Sequence, residues 1–371
     1  MMSARFLTVV LERAFNMRDG FGREIDYMRI SVIDSCNLNC YYCNPCDNNE
    51  HCHALNILSV KEVLCIVRAA TRLGIKHFRL TGGEPLLHPQ LDEMVLQIKK
   101  IPGVSSVSLT TNAVLLVQHA KWLKEAGIDS INVSLDTIDA SEYERITKKP
   151  LLEEVKHGIN AAIKCGIRVK INVVLTPQTD VVALTRYVAK KGTDIRFIEM
   201  MPVGEGHTNG VEPYKKVIGT LSKLYGEPCR INTEKTKEIN SGNDKRKIPD
   251  NGPAEYYIFP ELGIRVGLIQ AIHGKFCDTC NRIRVTADGR LMPCLGSSVT
   301  MDLVPDSWDF ADDVEKDFAI VRALRAAIKA KPRCHNFNDN AVTYTKTTET
   351  KTTEIEAAEV NAARNMSRIG G

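Results

Sequence analysis

The chain has 371 residues, 43% of them hydrophobic and 25% charged, with a formal net charge of +4 at pH 7. That length exceeds one small core and admits a barrel-sized domain with a smaller companion. A charge this mild excludes the concentrated basic face of a nucleic-acid binder but leaves room for an anionic small-molecule site, and no apolar run is long enough to span a bilayer.

Residues 1–25 read as an N-terminal extension. Their apolar run, residues 6–11, is closed by Glu12 and Arg13, too short and too charged for an export signal. The 12 cysteines are therefore expected in a reducing, cytoplasmic compartment, where metal binding outranks disulfides. Residues 27–33 are strand-like, and directly after them come Cys36, Cys40 and Cys43 at Cys-x3-Cys-x2-Cys spacing. Thiolates bind soft metals, and a loop leaving a strand can fold three of them around one centre. Three thiolates on a four-iron cubane leave one iron open for chemistry. Structural zinc is the competing reading, with Cys46, His51, Cys52 or His53 as fourth ligand.

A rhythm follows. Four helical stretches end at Gly74, Gly127, Gly166 and Gly192, each with an apolar strand close behind. Gly accepts the left-handed conformation that closes a helix, so each run reads as helix stop, turn, strand. The first of these helices opens on Ser59-Val60-Lys61-Glu62, a capping box. With strands near 27–34 and 106–112 the count is about six β/α units at ~30 residues each, too few to close an eight-stranded barrel. The fold class is α/β: an open, partial (β/α)6 barrel over 26–204, with its open side covered by a C-terminal domain. Polar groups gather at the strand exits, among them Gly82-Gly83-Glu84, Thr110 to Asn112, Ser134, Asp136 and Glu199 to Met201, the rim where β/α barrels do chemistry. Arg29, Arg79, Lys170 and Arg196 each stand alone in an apolar strand. Helices cover the outer face of such strands, so these cations belong inside, facing an anion such as a triphosphate.

Residues 205–252 read as a solvated linker with Cys229 an ordinary buried or partly buried thiol, and 253–371 as the C-terminal domain. Cys277, Cys280 and Cys294 form a second trio, and Asp288-Gly289 is a hairpin signal that returns Cys294 to the first pair. Zinc, with His273 as a further ligand, competes here too. Residues 311–331 read as an amphipathic helix with Phe318, Val321, Leu324 and Ile328 on one face, stopped by Pro332. Residues 338–365 read as a mobile loop and a short helix over 355–363, before the terminal Gly370-Gly371.

The first trio with Tyr42 and Gly82-Gly83-Glu84-Pro85 resembles the radical S-adenosylmethionine superfamily. Within it, residues 196–202, 252–257, 276–284, Cys294 and the Gly-Gly end resemble the MoaA family, the GTP 3′,8-cyclases of molybdenum-cofactor synthesis. That resemblance implies two 4Fe-4S clusters, one on Cys36, Cys40 and Cys43 and one on Cys277, Cys280 and Cys294. It implies S-adenosylmethionine contacts from Tyr42, Gly83, Ser134 and Met201. It implies GTP contacts from Arg29, Arg79, Thr110, Lys170, Arg282, Ile283 and Arg284. The Gly-Gly tail would reach the active site.

The implied reaction cleaves S-adenosylmethionine reductively, takes hydrogen from C3′ of the GTP ribose, and joins C3′ to guanine C8 as 3′,8-cyclo-7,8-dihydro-GTP. It implies an electron donor and hand-over to the next enzyme, cyclic pyranopterin monophosphate synthase, and it allows a homodimer; no nucleic-acid or membrane partner is implied. Departures from the family pattern include Ala113 where Gly is usual, Ser35 where Arg is common, Asn44-Pro45 for Met-Pro, and His77 for Lys. The alternative activity is another twin-cluster radical enzyme acting on a peptide or a different nucleotide.

Overall fold

A computed structural model describes residues 17–43, 56–203, 211–231, 252–297, 299–303, 313–335 and 337. The expected features at Cys46, Cys52, 338–365 and Gly370-Gly371 lie outside these residues.

Six strands alternate with helices: β1 (Tyr27–Ser31), β2 (His77–Thr81), β3 (Ser106–Thr111), β4 (Ser130–Ser134), β5 (Val169–Val174) and β6 (Asp194–Ile198). The helices between them are α1 (Val60–Arg72), α2 (Leu91–Lys99), α3 (Leu116–Glu125), α4 (Ala140–Thr147), α5 (Leu152–Lys164) and α6 (Val181–Lys190). The strands pair in parallel and in sequence order, as the (β/α)6 reading requires. The capping box of α1 is formed in both directions, between Ser59 and Glu62. Gly74, Gly127, Gly166 and Gly192 all have positive φ, which places each helix stop where the sequence put it. Val63, Ile66, Val67 and Ala70 of α1 are fully buried against the sheet. Burial of a Val or Ile side chain contributes about 1.5–3 kcal/mol each.

The sheet runs across the division expected at 204–253. β9 (Arg265–Ile269) pairs parallel with β6, and β10 (Arg282–Val285) pairs parallel with β1. Eight parallel strands thus stand in a row, with short antiparallel strands beyond each end: β7 (Cys229–Arg230) and β8 (Glu255–Ile258) beside β9, β11 (Arg290–Met292) and β12 (Met301–Asp302) beside β10. The segment 270–281 links the two flanking strands, which is how the C-terminal part covers the open side. The hairpin signal is realised between β10 and β11, with Gly289 at φ +73°.

Three expectations are corrected. Part of the 205–252 linker is packed structure: a π-turn (Tyr214–Ile218) continues into α7 (Gly219–Tyr225) and buries Val217, Ile218 and Leu221. Cys229 is exposed because it sits on the edge strand β7. The last helix, α8 (Asp313–Lys329), packs on α1 through Ile320, Leu324, Ala327 and Ile328, while Phe318 is 54% exposed. Leu324 and Ile328 lie on the inner face as expected and Val321 packs at its border, so the correction concerns Phe318 alone. The N-terminal extension is also tied in from residue 17, where the Met17 amide donates to the Leu73 carbonyl at 3.2 Å.

Candidate active site

The first trio leaves the C-terminal end of β1 in a loop held from both sides. The Asn39 and Tyr41 amides donate to the Thr147 and Ile146 carbonyls at the end of α4 (3.0 and 3.1 Å), and a tight turn joins the Cys43 amide to the Cys40 carbonyl at 2.9 Å. Tyr42 points inward and its hydroxyl donates to Asp136 Oδ2 at 2.5 Å. Asp136 Oδ1 accepts the Val174 amide at 2.7 Å, and burial pushes the carboxyl up to about 6. Burial likewise pushes Cys36 up to about 11 and raises Cys40 further. Thiols this reluctant to ionise become thiolates only when a metal centre takes the charge.

The Gly82-Gly83-Glu84 run explains itself by space. A Cβ on Gly82 would lie 2.3 Å from the Ile33 carbonyl oxygen, and one on Gly83 would lie 2.2 Å from that of Ser35. Without side chains the two loops close up: the Gly83 amide donates to the Ile33 carbonyl at 2.7 Å and the Glu84 amide to the Ser35 carbonyl at 2.8 Å. Glu84 is then buried, where its carboxyl accepts the Thr111 hydroxyl, the Asn112 amide and the Leu86 amide at 2.7, 2.7 and 3.0 Å. Burial outweighs these donors and pushes Glu84 up to about 7. Asn112, so fixed, donates to Asn37 Oδ1 at 2.7 Å and lies 3.8 Å from Cys36 Sγ. Ala113, at the position where the resemblance expects Gly, holds a left-handed backbone at φ +65°.

The second trio sits at the other end of the barrel. Cys277 opens a 3-10 turn (Cys277–Thr279) just before β10, and Cys294 follows β11, which runs antiparallel to it. All three therefore lie by the N-terminal end of β1, opposite the first trio. Burial raises Cys277, with the neighbouring thiols adding to the effect. Burial also acts against Cys280, but Arg282 and Lys331 overcome it and bring that thiol down to about 7.

One cavity is lined by both trios, with Arg29, Arg282 and Arg284 between them. Strand register puts Arg29 level with Arg79 on one side and Arg284 on the other. Burial and the neighbouring guanidinium ions lower Arg29 well below its ordinary value, and burial with Arg282 lowers Arg284 to about 10. Cations crowded this closely repel, so the cavity is built for an anion. Arg79 donates to the Tyr27 hydroxyl at 2.5 Å and to Thr110 Oγ1 at 3.4 Å. Lys170, also buried, faces the Tyr256 ring at 5.9 Å, and Arg196 donates to Asn172 Oδ1 at 3.0 Å.

Arg79 and Lys170 are not among the residues lining this cavity, whereas Tyr42, Gly83, Ser134, Met201 and Thr110 line it. Ile283 does not: strand alternation turns it away from Arg282 and Arg284 and into the hydrophobic core at 0% exposure. Only its backbone can face a substrate. Sequence reasoning missed the strap after α8, in which Lys331, His335 and Phe337 line the cavity wall. His335 Nε2 bonds the Ala271 carbonyl at 2.7 Å and its ring stacks at 4.2 Å on Phe337. It also missed Tyr27 and Arg23; Glu199, read as a strand-exit residue, is buried, holds the Ile272 amide at 2.7 Å and pairs with His273. The signal available for the strap was a Lys-Pro helix stop followed by an isolated His and Phe.

Among the described residues no group of three or more His, Cys, Asp or Glu converges to hold a single ion. An iron–sulfur cubane takes one thiolate per iron and does not ask for convergence on a point. Two trios lining a shared cavity, Cys277 buried and the other five thiols partly buried, fit that donor pattern.

The chain matches the Radical SAM superfamily over residues 30–183 and Molybdenum Cofactor Synthesis C over residues 193–337. It is 35% identical over 324 residues to a GTP 3′,8-cyclase of Clostridium perfringens (strain SM101 / Type A), covering 86% of this chain and 95% of that one. A GTP 3′,8-cyclase of Pelotomaculum thermopropionicum is 36% identical over 327 residues, covering 86% and 95%. The chain belongs to the GTP 3′,8-cyclase family.

It is accordingly a radical S-adenosylmethionine enzyme with two 4Fe-4S clusters. Among solved structures it is similar to Streptococcus suis SuiB bound to S-adenosylmethionine, with a TM-score of 0.52 and 14% identity over 81% of this chain and 68% of that one. That likeness speaks for the fold alone. Among the described residues no helix is long and apolar enough to cross a membrane.

Proposed function

We infer that this chain converts GTP to 3′,8-cyclo-7,8-dihydro-GTP in molybdenum-cofactor synthesis. The observation that carries the reading is one cavity with a cysteine trio at each end and arginines in its middle. Cys36, Cys40 and Cys43 hold the first cluster, and Cys277, Cys280 and Cys294 the second. When bound, the first cluster and S-adenosylmethionine supply a one-electron reductive cleavage to methionine and a 5′-deoxyadenosyl radical, which accepts a hydrogen atom. The remaining work belongs to the chain.

Tyr42, Gly83, Ser134 and Met201 seat S-adenosylmethionine at the rim. Arg29, Arg79, Arg284 and Lys170 receive the triphosphate inside the barrel, with Thr110 alongside. Anchoring the charged end of the substrate there turns its ribose toward the first trio and its base toward the second. Fixing C3′ beside the hydrogen acceptor is a proximity effect, and effective molarities of about 10⁵–10⁸ M show how much such fixing contributes. An electron donor, the synthase that consumes the product, and a second copy of the chain complete the set of partners.

Deuterium at C3′ of GTP tests the reading. Anaerobic turnover is expected to give the cyclised nucleotide and 5′-deoxyadenosine carrying that deuterium. Unlabelled 5′-deoxyadenosine without cyclised GTP would instead favour a different substrate, a peptide or another nucleotide.

A further inference from the structure

Lys331 is an unusual residue to find where it stands. Its residue is 2% exposed, yet lysine is almost never fully buried without a partner for its charge. Its Nζ donates to the Arg282 carbonyl at 2.8 Å and to the Pro293 carbonyl at 2.8 Å. Arg282 lies two residues past Cys280, and Pro293 directly precedes Cys294. One ammonium thus joins the two backbone stretches that carry two of the three thiols. Carbonyls satisfy its hydrogen bonds but supply no negative charge. The full charge close by is the thiolate trio itself, and this ammonium is one of the cations that hold the Cys280 thiol down.

A second buried cation serves the third thiol and sharpens the contrast. Arg23 donates to the Cys277 carbonyl at 2.6 Å and to the Pro332 and Arg333 carbonyls at 2.6 and 2.8 Å. It is ion-paired with Asp19 at 2.5 Å, so that unit brings geometry without net charge. Lys331 brings both.

We propose that Lys331 is a positioning residue and charge partner for the second cluster, raising its midpoint potential as well as closing its loop. This rests on the two-cluster reading above. A cubane bound by three thiolates is a net anion, and one-electron reduction adds to that charge. A buried cation a few ångströms away favours the reduced form, because charges interact strongly where water is excluded.

The test uses the full chain with Cys36, Cys40 and Cys43 replaced by alanine, so that only the second cluster is read. Anaerobic potentiometric titration followed by EPR compares Lys331 with Lys331→Gln, which keeps a donor without charge, and Lys331→Arg, which keeps the charge. Lys331→Gln is expected to lower the reduction equilibrium constant at least tenfold, about 59 mV for one electron, and Lys331→Arg to restore most of it. Loss of the cluster in the Gln variant with recovery in the Arg variant also supports the charge as what the trio requires. An unchanged potential in a fully loaded Gln variant overturns the proposal, as does equal loss in both variants. If the Lys331 parent itself loads no second cluster, the two-cluster reading fails first.

Discussion

At the scale of single residues, the site depends on atoms that are missing. Gly83→Ala would place a Cβ 2.2 Å from the Ser35 carbonyl oxygen and 2.5 Å from that of Asp34. Backbone cannot retreat from such a contact without opening the loop that precedes Cys36. The variant is expected to lose S-adenosylmethionine binding by more than tenfold, read by anaerobic equilibrium dialysis; ordinary affinity would contradict the packing described here. Gly158 plays the matching part behind the third strand, where a Cβ would sit 2.3 Å from the Ala113 carbonyl oxygen. Ala113 already holds a left-handed conformation, which costs about 1–2 kcal/mol, and burial of its methyl returns about 0.8 kcal/mol. Gly158→Ala is therefore expected to cost about 2 kcal/mol or more in urea unfolding.

Glu84 carries a pH signature. Its folded-state carboxyl is raised to about 7 from an ordinary 4.5 by burial. The folded state thus binds the proton more tightly than the unfolded state. The stability linked to this group is complete below about pH 4.5 and is lost as pH rises through about 7, by about 3 kcal/mol at most. Relative to Glu84→Gln, which cannot ionise, the parent is expected to lose stability between pH 5 and 7.5 in urea titrations. Parallel pH profiles would show that the three donors, not burial, govern this carboxyl.

At the scale of elements, β10 shows how alternation sorts function from packing. Arg282 and Arg284 face the cavity, and Ile283 between them faces the core. Arg284 is held close to Arg282 and Arg29, so removing it relieves repulsion while removing a proposed phosphate contact. Arg284→Met is expected to weaken GTP binding tenfold or more with no fall in melting temperature. A large fall in melting temperature with unchanged affinity would make Arg284 structural.

These elements also show what could be read from the chain. Helix stops at glycine, the capping box at Ser59 and the Asp288-Gly289 hairpin are local, so they leave local signs. The basic residues on apolar strands were legible because parallel strands offer one place to hide a charge. The strap at 331–337 was not legible, since its bonds run to carbonyls of Arg282, Pro293 and Ala271, and main-chain acceptors have no sequence. Cys229 was misjudged because edge exposure depends on which strand ends the sheet. Ile283 was carried over with its motif, and only strand alternation separates it from its neighbours.

At the scale of the molecule, topology does the arranging. β10 lies parallel to β1 and β11 antiparallel to β10, so Cys277 and Cys280 before β10 and Cys294 after β11 fall at the end of the barrel opposite the trio after β1. The shared cavity is the space between. Cys277→Ala is accordingly expected to leave S-adenosylmethionine cleavage within a few-fold of the parent and to abolish cyclised GTP, measured by chromatography of anaerobic turnover mixtures. Loss of cleavage as well would mean that the two ends are not independent.

The most direct test is EPR of the anaerobically reconstituted protein, holding about eight irons per chain, with and without GTP. GTP is expected to alter the signal of the cluster on Cys277, Cys280 and Cys294 and to leave that on Cys36, Cys40 and Cys43 essentially unchanged. Two cluster signals that both ignore GTP would contradict a cavity in which one nucleotide lies between the two trios.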